Sequence, residues 1–320
     1  MLRRSLIAGA SAGAMSTIAL SAQASPQFPS RPIRAVVPFA PGGNADTLAR
    51  IIADRLSPRL GQPIVVDNKT GAASMIGAAY VAKSEKDGYT LFFGVSAIFL
   101  TVQLIKNPPL RMSELMPVTR IHDVGVAMGI PKDLGVDDLA GYLKLTKEQP
   151  GKHSYGSYGV GTGAHVIAEI MKKRSGAVIT HVPYRGEAPA VQDLLAGNVT
   201  SAFGSVGSLA QFPDKIRIVA VLTPKRLRQF PDIPTFAEAG FDMGPITGWA
   251  GVFVATGTPA PIVEKLAANI NAVCAMPDVQ ARILEMGYQP VEPQKDLSNL
   301  IAEQERAWKA AAEEADVTID

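Results

Sequence analysis

One cysteine and four histidines in 320 residues leave little material for the chemistries that depend on them. A lone Cys274 excludes an internal disulfide. It falls on a helically spaced stripe with Val263, Leu266, Ala267, Ile270 and Val273, which predicts a core thiol rather than a reactive one. His122, His153, His165 and His181 form no short-spaced ligand pair, so no metal is expected. A Gly-x-Ser-x-Gly elbow is also missing, and with it the nucleophile of an α/β-hydrolase triad; no catalytic residue is expected. Charge of one sign is scarce too. The chain has 31 Lys+Arg against 29 Asp+Glu and no basic run, which excludes a nucleic-acid backbone as partner.

The N-terminus supplies the one long apolar stretch. Arg3 and Arg4 precede Leu6 to Leu20, and Ala22-Gln23-Ala24 has the small-x-small form of a signal-peptidase site. Residues 1–24 are therefore expected to be a removed leader, by the general secretory or the twin-arginine route, and the mature chain to be periplasmic. The leader takes two arginines and no acid, so the remainder is formally neutral.

Past the leader, short apolar runs alternate with helical periods. Ile33 to Val37, Ile64 to Val66 and Thr90 to Val95 read as strands, with helices at Ala45 to Leu60 and Ala73 to Lys83 between them. This is βαβαβ, half of an open parallel sheet, and a strand order 2-1-3 would set the end of the third strand beside the first loop. A second series runs from a strand near Ser154 through helix Thr162 to Lys173, strand Val178 to Val182, helix Ala188 to Ala196, and strands Val199 to Phe203 and Ile216 to Val221. Pro261 to Ala275 and Leu297 to Glu313 complete the chain as helices. Two α/β units are the expected count.

Open α/β sheets bind ligands beyond the carboxyl ends of their strands. The loop "PFAPGGNAD" after the first strand carries Gly42 and Gly43, whose missing Cβ atoms let a ligand reach main-chain N–H groups. The helix behind it presents unpaired amides and a positive dipole end, so the preferred guest is an anion, most simply a carboxylate. Asp46 is expected first to cap that helix, and alternatively to receive a ligand's ammonium or hydroxyl. "YGSYGVGTGAH" repeats the arrangement with Ser157, Gly161 and Thr162; Ser96 ends a third strand beside the first loop. Gly159-x-Gly161-x-x-Ala164 loosely matches a dinucleotide fingerprint, but Val178 to Val182 occupies the place of the ribose-binding acid, so no cofactor is expected. Phe39, Tyr155, Tyr158, Phe203 and Trp249 are placed at the cleft edges.

"PFAPGGNADTLAR", "LGQPIVVDNKTGAASMIGAAYVAKSEKDGYTLFFG", "YGSYGVGTGAH", "HVPYRGEAPAVQDLLAGNV", "PDIPTFAEAGF" and "GVFVATGTPAPIVEKL", in this order, resemble the Bug-type solute-binding receptors of tripartite tricarboxylate transporters. The resemblance implies a type II periplasmic-binding-protein fold, two α/β lobes with a ligand cleft between them. Lobe one would be 25–124 with 250–320, lobe two 125–249, and the crossings would lie near Val124 to Met128 and Gly251 to Val254. It implies a monomer that captures a small organic carboxylate and passes it to the transporter's membrane subunits. Carried over position by position, the ligand would meet Phe39, Gly42, Gly43, Asn44 and Asp46 of the first loop, and Ser157, Gly161, Thr162 and His165 of the second. Ser96, Ala188, Gly204 and Ser205 would flank them.

Two departures stand out. Phe203-Gly204-Ser205 replaces the family's usual Phe-Asp-Ser, removing a cleft acid, and Thr101-Val102 replaces its Asn-Pro. A larger or less polar far end of the site is therefore expected, suited to a bulkier or aromatic acid. Arg185 is the one cation of the candidate loops. Two other readings stay open: a ligand sensor docking on a membrane signalling protein, and an exported enzyme using the cleft.

Overall fold

The computed structural model describes residues 28–294 and 296–319. The expected leader, residues 1–24, lies outside the described residues. The first unit runs β1 (Ile33–Val37), α1 (Asn44–Leu60), β2 (Ile64–Asn68), α2 (Met75–Ala82), β3 (Thr90–Val95), α3 (Ala97–Leu104) and β4 (Leu115–Val124). The second runs β5 (Val126–Pro131), α4 (Leu139–Glu148), β6 (Ser154–Ser157), α5 (Gly163–Ser175), β7 (Thr180–Pro183), α6 (Glu187–Leu195), β8 (Ser201–Ser205), α7 (Val206–Leu209) and β9 (Ile216–Leu222). The chain then returns through β10 (Gly248–Ala255), α8 (Ala260–Cys274), α9 (Pro277–Glu285), β11 (Tyr288–Pro290) and α10 (Ser298–Ala315).

Two sheets result, a six-stranded one ordered β11-β4-β10-β3-β1-β2 and a five-stranded one ordered β7-β6-β8-β5-β9. The order β2-β1-β3 is present, the one that would set Ser96 beside the first loop, and β1 is parallel to both neighbours. Neither sheet is wholly parallel: β10 runs antiparallel between β3 and β4, and β5 antiparallel between β8 and β9. β4 and β5 are separated only by Gly125 yet belong to different sheets, so the first crossing falls inside Val124 to Met128. The second does not fall at Gly251 to Val254. Those residues sit in the middle of β10, paired on both sides, and the chain crosses earlier, between β9 and β10. Central position explains the misplacement, because a strand buried on both faces and an apolar crossing segment read alike.

Packing follows the apolar faces. Leu48, Ile52, Leu56 and Leu60 recur along one side of α1 and are buried against the first sheet, with Leu266 and Ile270 of α8. Phe92, Phe99, Phe253 and Trp249 fill the other side, in a cluster that continues into the second unit through Met128, Tyr155 and Phe203. Full burial of each phenylalanine contributes ~1.5–3 kcal/mol. Cys274 is half-buried beside the α8 cluster, as its stripe predicts, and burial pushes its thiol up to about 12. Among the described residues, no helix is long and apolar enough to cross a membrane.

Candidate functional site

The first loop is built around Asp46, in the third position of α1 and only 2 % exposed. Its Oδ2 accepts from the Gly42 N–H at 2.9 Å and from Arg50 Nε at 3.0 Å; its Oδ1 accepts from Arg50 Nη2 at 3.0 Å and Asn68 Nδ2 at 2.7 Å. The same Asn68 amide donates to the Phe39 carbonyl at 2.9 Å. Burial alone would raise this carboxyl, but the bonds from Arg50, Asn68 and Gly42 outweigh it and hold it below the ordinary range. All four lone-pair sites are thereby in use, so Asp46 shapes the loop from beneath. Gly42, at φ +85°, and Gly43 are exposed, with open space or only the Ala40 carbonyl where a Cβ would stand. Gly43 caps α1 without a side chain, leaving the helix-start amides to solvent or ligand.

Lobe-two residues are locked in the same way. The Ser157 hydroxyl donates to the Gly159 carbonyl at 3.1 Å, accepts from the Gly159 N–H at 3.2 Å and meets His181 Nε2 at 2.7 Å. Thr162 Oγ1 donates to the Gly159 carbonyl at 2.7 Å, and the Gly161 N–H donates to His165 Nδ1 at 3.2 Å. That bond makes His165 a neutral acceptor at the helix start. The histidines distant in sequence are adjacent in space: His165 and His181 stack with centroids 4.1 Å apart. Burial lowers both, His181 to about 4. Among the described residues no three metal-type ligands cluster.

Ser96 is buried, its hydroxyl donating to the Thr247 carbonyl at 3.2 Å and accepting from the Trp249 N–H at 3.1 Å, which ties β3 to the start of β10. Ala188 lies exposed in the first turn of α6. Tyr155, Phe203 and Trp249 are core residues, whereas Phe39 and Tyr158 are half-buried. Arg185 is exposed.

The structure adds residues that the sequence reading did not assign. Glu187, first residue of α6, is half-buried and turns back onto β8. Its Oε2 accepts from the Ser205 N–H at 2.6 Å and its Oε1 from the Ser205 hydroxyl at 3.1 Å. Burial raises its carboxyl, against the opposing pull of Ser205 and Ser208. Tyr158, after β6, and Tyr288, in β11, both feel the Glu187 charge, and the Asn44 side chain of the first loop lies beside the Tyr288 phenol. Burial first, then Glu187, raises both phenols, so both keep their protons. The Tyr288 ring is stacked on His122 at 4.2 Å, and burial lowers that imidazole to about 4.

Asn44 and Tyr288 on the first sheet's side thus lie near Tyr158 and Glu187 on the second's, and Glu187 in turn holds Ser205 beside Gly204. Two further contacts close the space between the units. The Thr101 hydroxyl donates to the Gly161 carbonyl at 3.4 Å, and the Gly207 backbone lies against the Met286–Gly287 peptide. The far end is not the less polar one expected from Gly204. A Cβ there would stand 3.3 Å from Glu187 Oε2, so a carboxyl occupies the region the sequence reading left empty. A cavity of about 500 Å³ lies elsewhere, lined by Arg120, Phe236, Phe241 and Gln304, and contains none of the expected ligand residues.

Comparison with known proteins gives a consistent result. The family model described as "Tripartite tricarboxylate transporter family receptor" matches residues 48–317. A "UPF0065 protein in tcbD-tcbE intergenic region" of Pseudomonas sp. strain P51 is 36% identical over 315 residues, 96% of this chain and 93% of the relative. Protein BugT of Bordetella pertussis is 33% identical over 293 residues, 90% of each. Among solved structures, R. palustris Rpa4515 with adipate superposes with a TM-score of 0.83 at 32% identity, over 91% of this chain and 99% of that one. MatC from Rhodopseudomonas palustris with bound malate gives 0.81 at 28%, over 89% and 99%.

Proposed function

Because the chain belongs to the receptor family of tripartite tricarboxylate transporters, and is a solute-binding receptor with the periplasmic-binding fold, we propose that it captures a small organic carboxylate between its two sheets. The observation that carries the reading is the open backbone of Gly42 and Gly43 at the start of α1, next to Asn44, whose side chain lies beside the Tyr288 phenol. Free amides and a helix N-terminus favour an anion at that end. The likeness to proteins bound to adipate and malate supports the same ligand class. We assign the ligand contacts to the thirteen positions carried over from the family, with Asp46, Ser96, Ser157 and Thr162 as the supports holding the backbone in place. One lobe would take 25–124 with the chain from β10 onward, and the other β5 through β9; the mature chain would be a periplasmic monomer that delivers its cargo to the transporter's membrane subunits.

A thermal-shift screen tests this. The mature chain, residues 25–320, meets aliphatic di- and tricarboxylates, aromatic acids, ω-amino acids, the uncharged amides of each acid, and neutral sugars. A ligand present at a hundred times its Kd adds about 2.7 kcal/mol, which raises Tm by several degrees. The acids should shift the midpoint and be recovered unchanged, while their amides and sugars should not. Stabilisation by sugars or amides alone would remove the carboxylate from the proposal.

A further inference from the structure

The segment that follows α10 is fixed from two sides. Asp316 turns the chain at a left-handed φ of +54°, and Ile319 then lies parallel to Ile105 at the end of α3. The Ile319 N–H donates to the Leu104 carbonyl at 2.8 Å, and the Lys106 N–H donates to the Ile319 carbonyl at 3.3 Å. These two bonds pin the tail's backbone to the first unit. Its side chain reaches the second: a Cβ on Gly161 would overlap Ile319 Cδ1 and lie 3.1 Å from Ile319 Cγ1.

Gly161 belongs to the glycine-rich turn between β6 and α5 and is buried at φ +71°. Its N–H donates to His165 Nδ1 at 3.2 Å, and its carbonyl accepts from the Thr101 hydroxyl at 3.4 Å. Leu104 and Ile319 close the face that a side chain would take. Of these four neighbours only His165 belongs to the same unit. Behind the turn, α5 starts without a side-chain cap on its free amides. Val317 and Ile319 also pack against the apolar cluster shared by both units, so burial as well as backbone bonding orders the tail. The missing side chain at 161 is thus filled by the one at 319. Without Ile319 Cδ1 the turn would border a void, at a glycine whose backbone is free to leave its present angles.

We propose that Ile319 is a positioning residue of the ligand site: anchored on α3, it holds the Gly159–Thr162 turn, and with it the start of α5, in the form that receives the ligand. It acts through Gly161 and not by touching the ligand. The proposal rests on the carboxylate reading above. It gives the tail after α10 a part in binding that its distance in sequence from the glycine-rich turn conceals.

Calorimetry of the mature chain with adipate, malate, citrate and benzoate as probes tests it. Ile319→Val, which removes only the Cδ1 atom that meets Gly161, should weaken the best-binding of these acids about 3-fold, and Ile319→Ala about 10-fold. Ile319→Leu, which keeps an apolar chain long enough to reach Gly161, should restore most of the affinity. The unliganded Tm of each variant reports whether the fold survived. A second readout needs no ligand: the Gly161 and Thr162 amides should exchange their hydrogens faster in Ile319→Val than in the unchanged chain. Equal exchange, or unchanged affinity in Ile319→Val and Ile319→Ala, would overturn the positioning role and leave the receptor reading intact. A gain in affinity would overturn it too, by showing that the tail obstructs the ligand. Binding of none of the four acids to the unchanged chain would overturn both.

Discussion

At the scale of single residues, much of the chemistry in this site goes into holding backbone. Asp46 was the acid most exposed to a functional reading, and its oxygens are all taken by Gly42, Arg50 and Asn68. The Arg50 side chain is 47% exposed, so the ion pair itself adds little. The bonds to the Gly42 N–H and to Asn68 matter more. Asp46→Ala should destabilise the chain by ~1–3 kcal/mol and weaken ligand binding through a loosened Phe39–Gly43 loop, read by Tm and calorimetry together. A Tm loss with unchanged affinity would show that the loop holds its shape without this anchor.

The histidines give a second residue-scale prediction, in pH. His122 and His181 sit at about 4 in the fold, against ~6.5 in the unfolded chain. Between those values the unfolded chain binds more protons, so stability is complete above pH ~6.5 and falls as pH drops toward 4, by up to ~3 kcal/mol per group. Burial is the main cause in both. Arg120, Asp123 and Tyr288 surround His122, while His165, Glu169, Lys172 and Tyr155 surround His181. Tm measured from pH 7.5 to 4.5 should fall, and His122→Phe, which keeps a ring on Tyr288, should flatten the fall. An unchanged slope would place the acid sensitivity elsewhere.

At the scale of elements, the sequence was most legible where apolar periodicity and loop chemistry agreed. β1, α1, β3 and the β2-β1-β3 order were readable because alternation of strands and amphipathic helices leaves few topologies. β4, β5 and β10 were legible only as crossings, because long-range antiparallel pairing has no local signature. For the same reason Glu187 and Tyr288 escaped notice: they lie about a hundred residues apart, and only tertiary structure brings Tyr288 beside Asn44 and within reach of the Glu187 charge. Gly204 was the available signal, since a missing acid invites a search for its replacement. An element-scale prediction follows from Gly207 and Gly287. α7 extends from β8 of one sheet, Gly287 leads into β11 of the other, and the two backbones touch. A Cβ at Gly207 would lie 2.0 Å from the Met286 carbonyl oxygen. Gly207→Ala cannot keep that approach, because backbone cannot yield as a flexible side chain does. It should lower ligand affinity at least ~10-fold and leave the Tm of the unliganded chain nearly unchanged. Unchanged affinity would mean that the contact is not part of the binding-competent form.

At the scale of the whole molecule, the units share one apolar cluster, from Phe92 and Trp249 on the first sheet's side to Tyr155 and Phe203 on the second's, and meet again at the mouth. Thr101 to Gly161 and Gly207 to Gly287 touch at the mouth, while Gly125 supplies the shortest link between the sheets. Behind them, α10 packs against both α3 and α5, and Arg174 of α5 pairs with Glu314 of α10 at 2.6 Å. Helix α10 therefore holds the units together from outside. This arrangement has the mouth contacts of a closed form. On the proposed reading, a ligand that spans Gly42 and Asn44 on one side and Gly204 and Ser205 on the other would gain all its contacts only in that form, so binding would shift the population toward it. Small-angle scattering should give a radius of gyration near ~19 Å for the liganded mature chain and a larger value without ligand, with the change reversed on dialysis. An identical radius in both states would separate binding from closure.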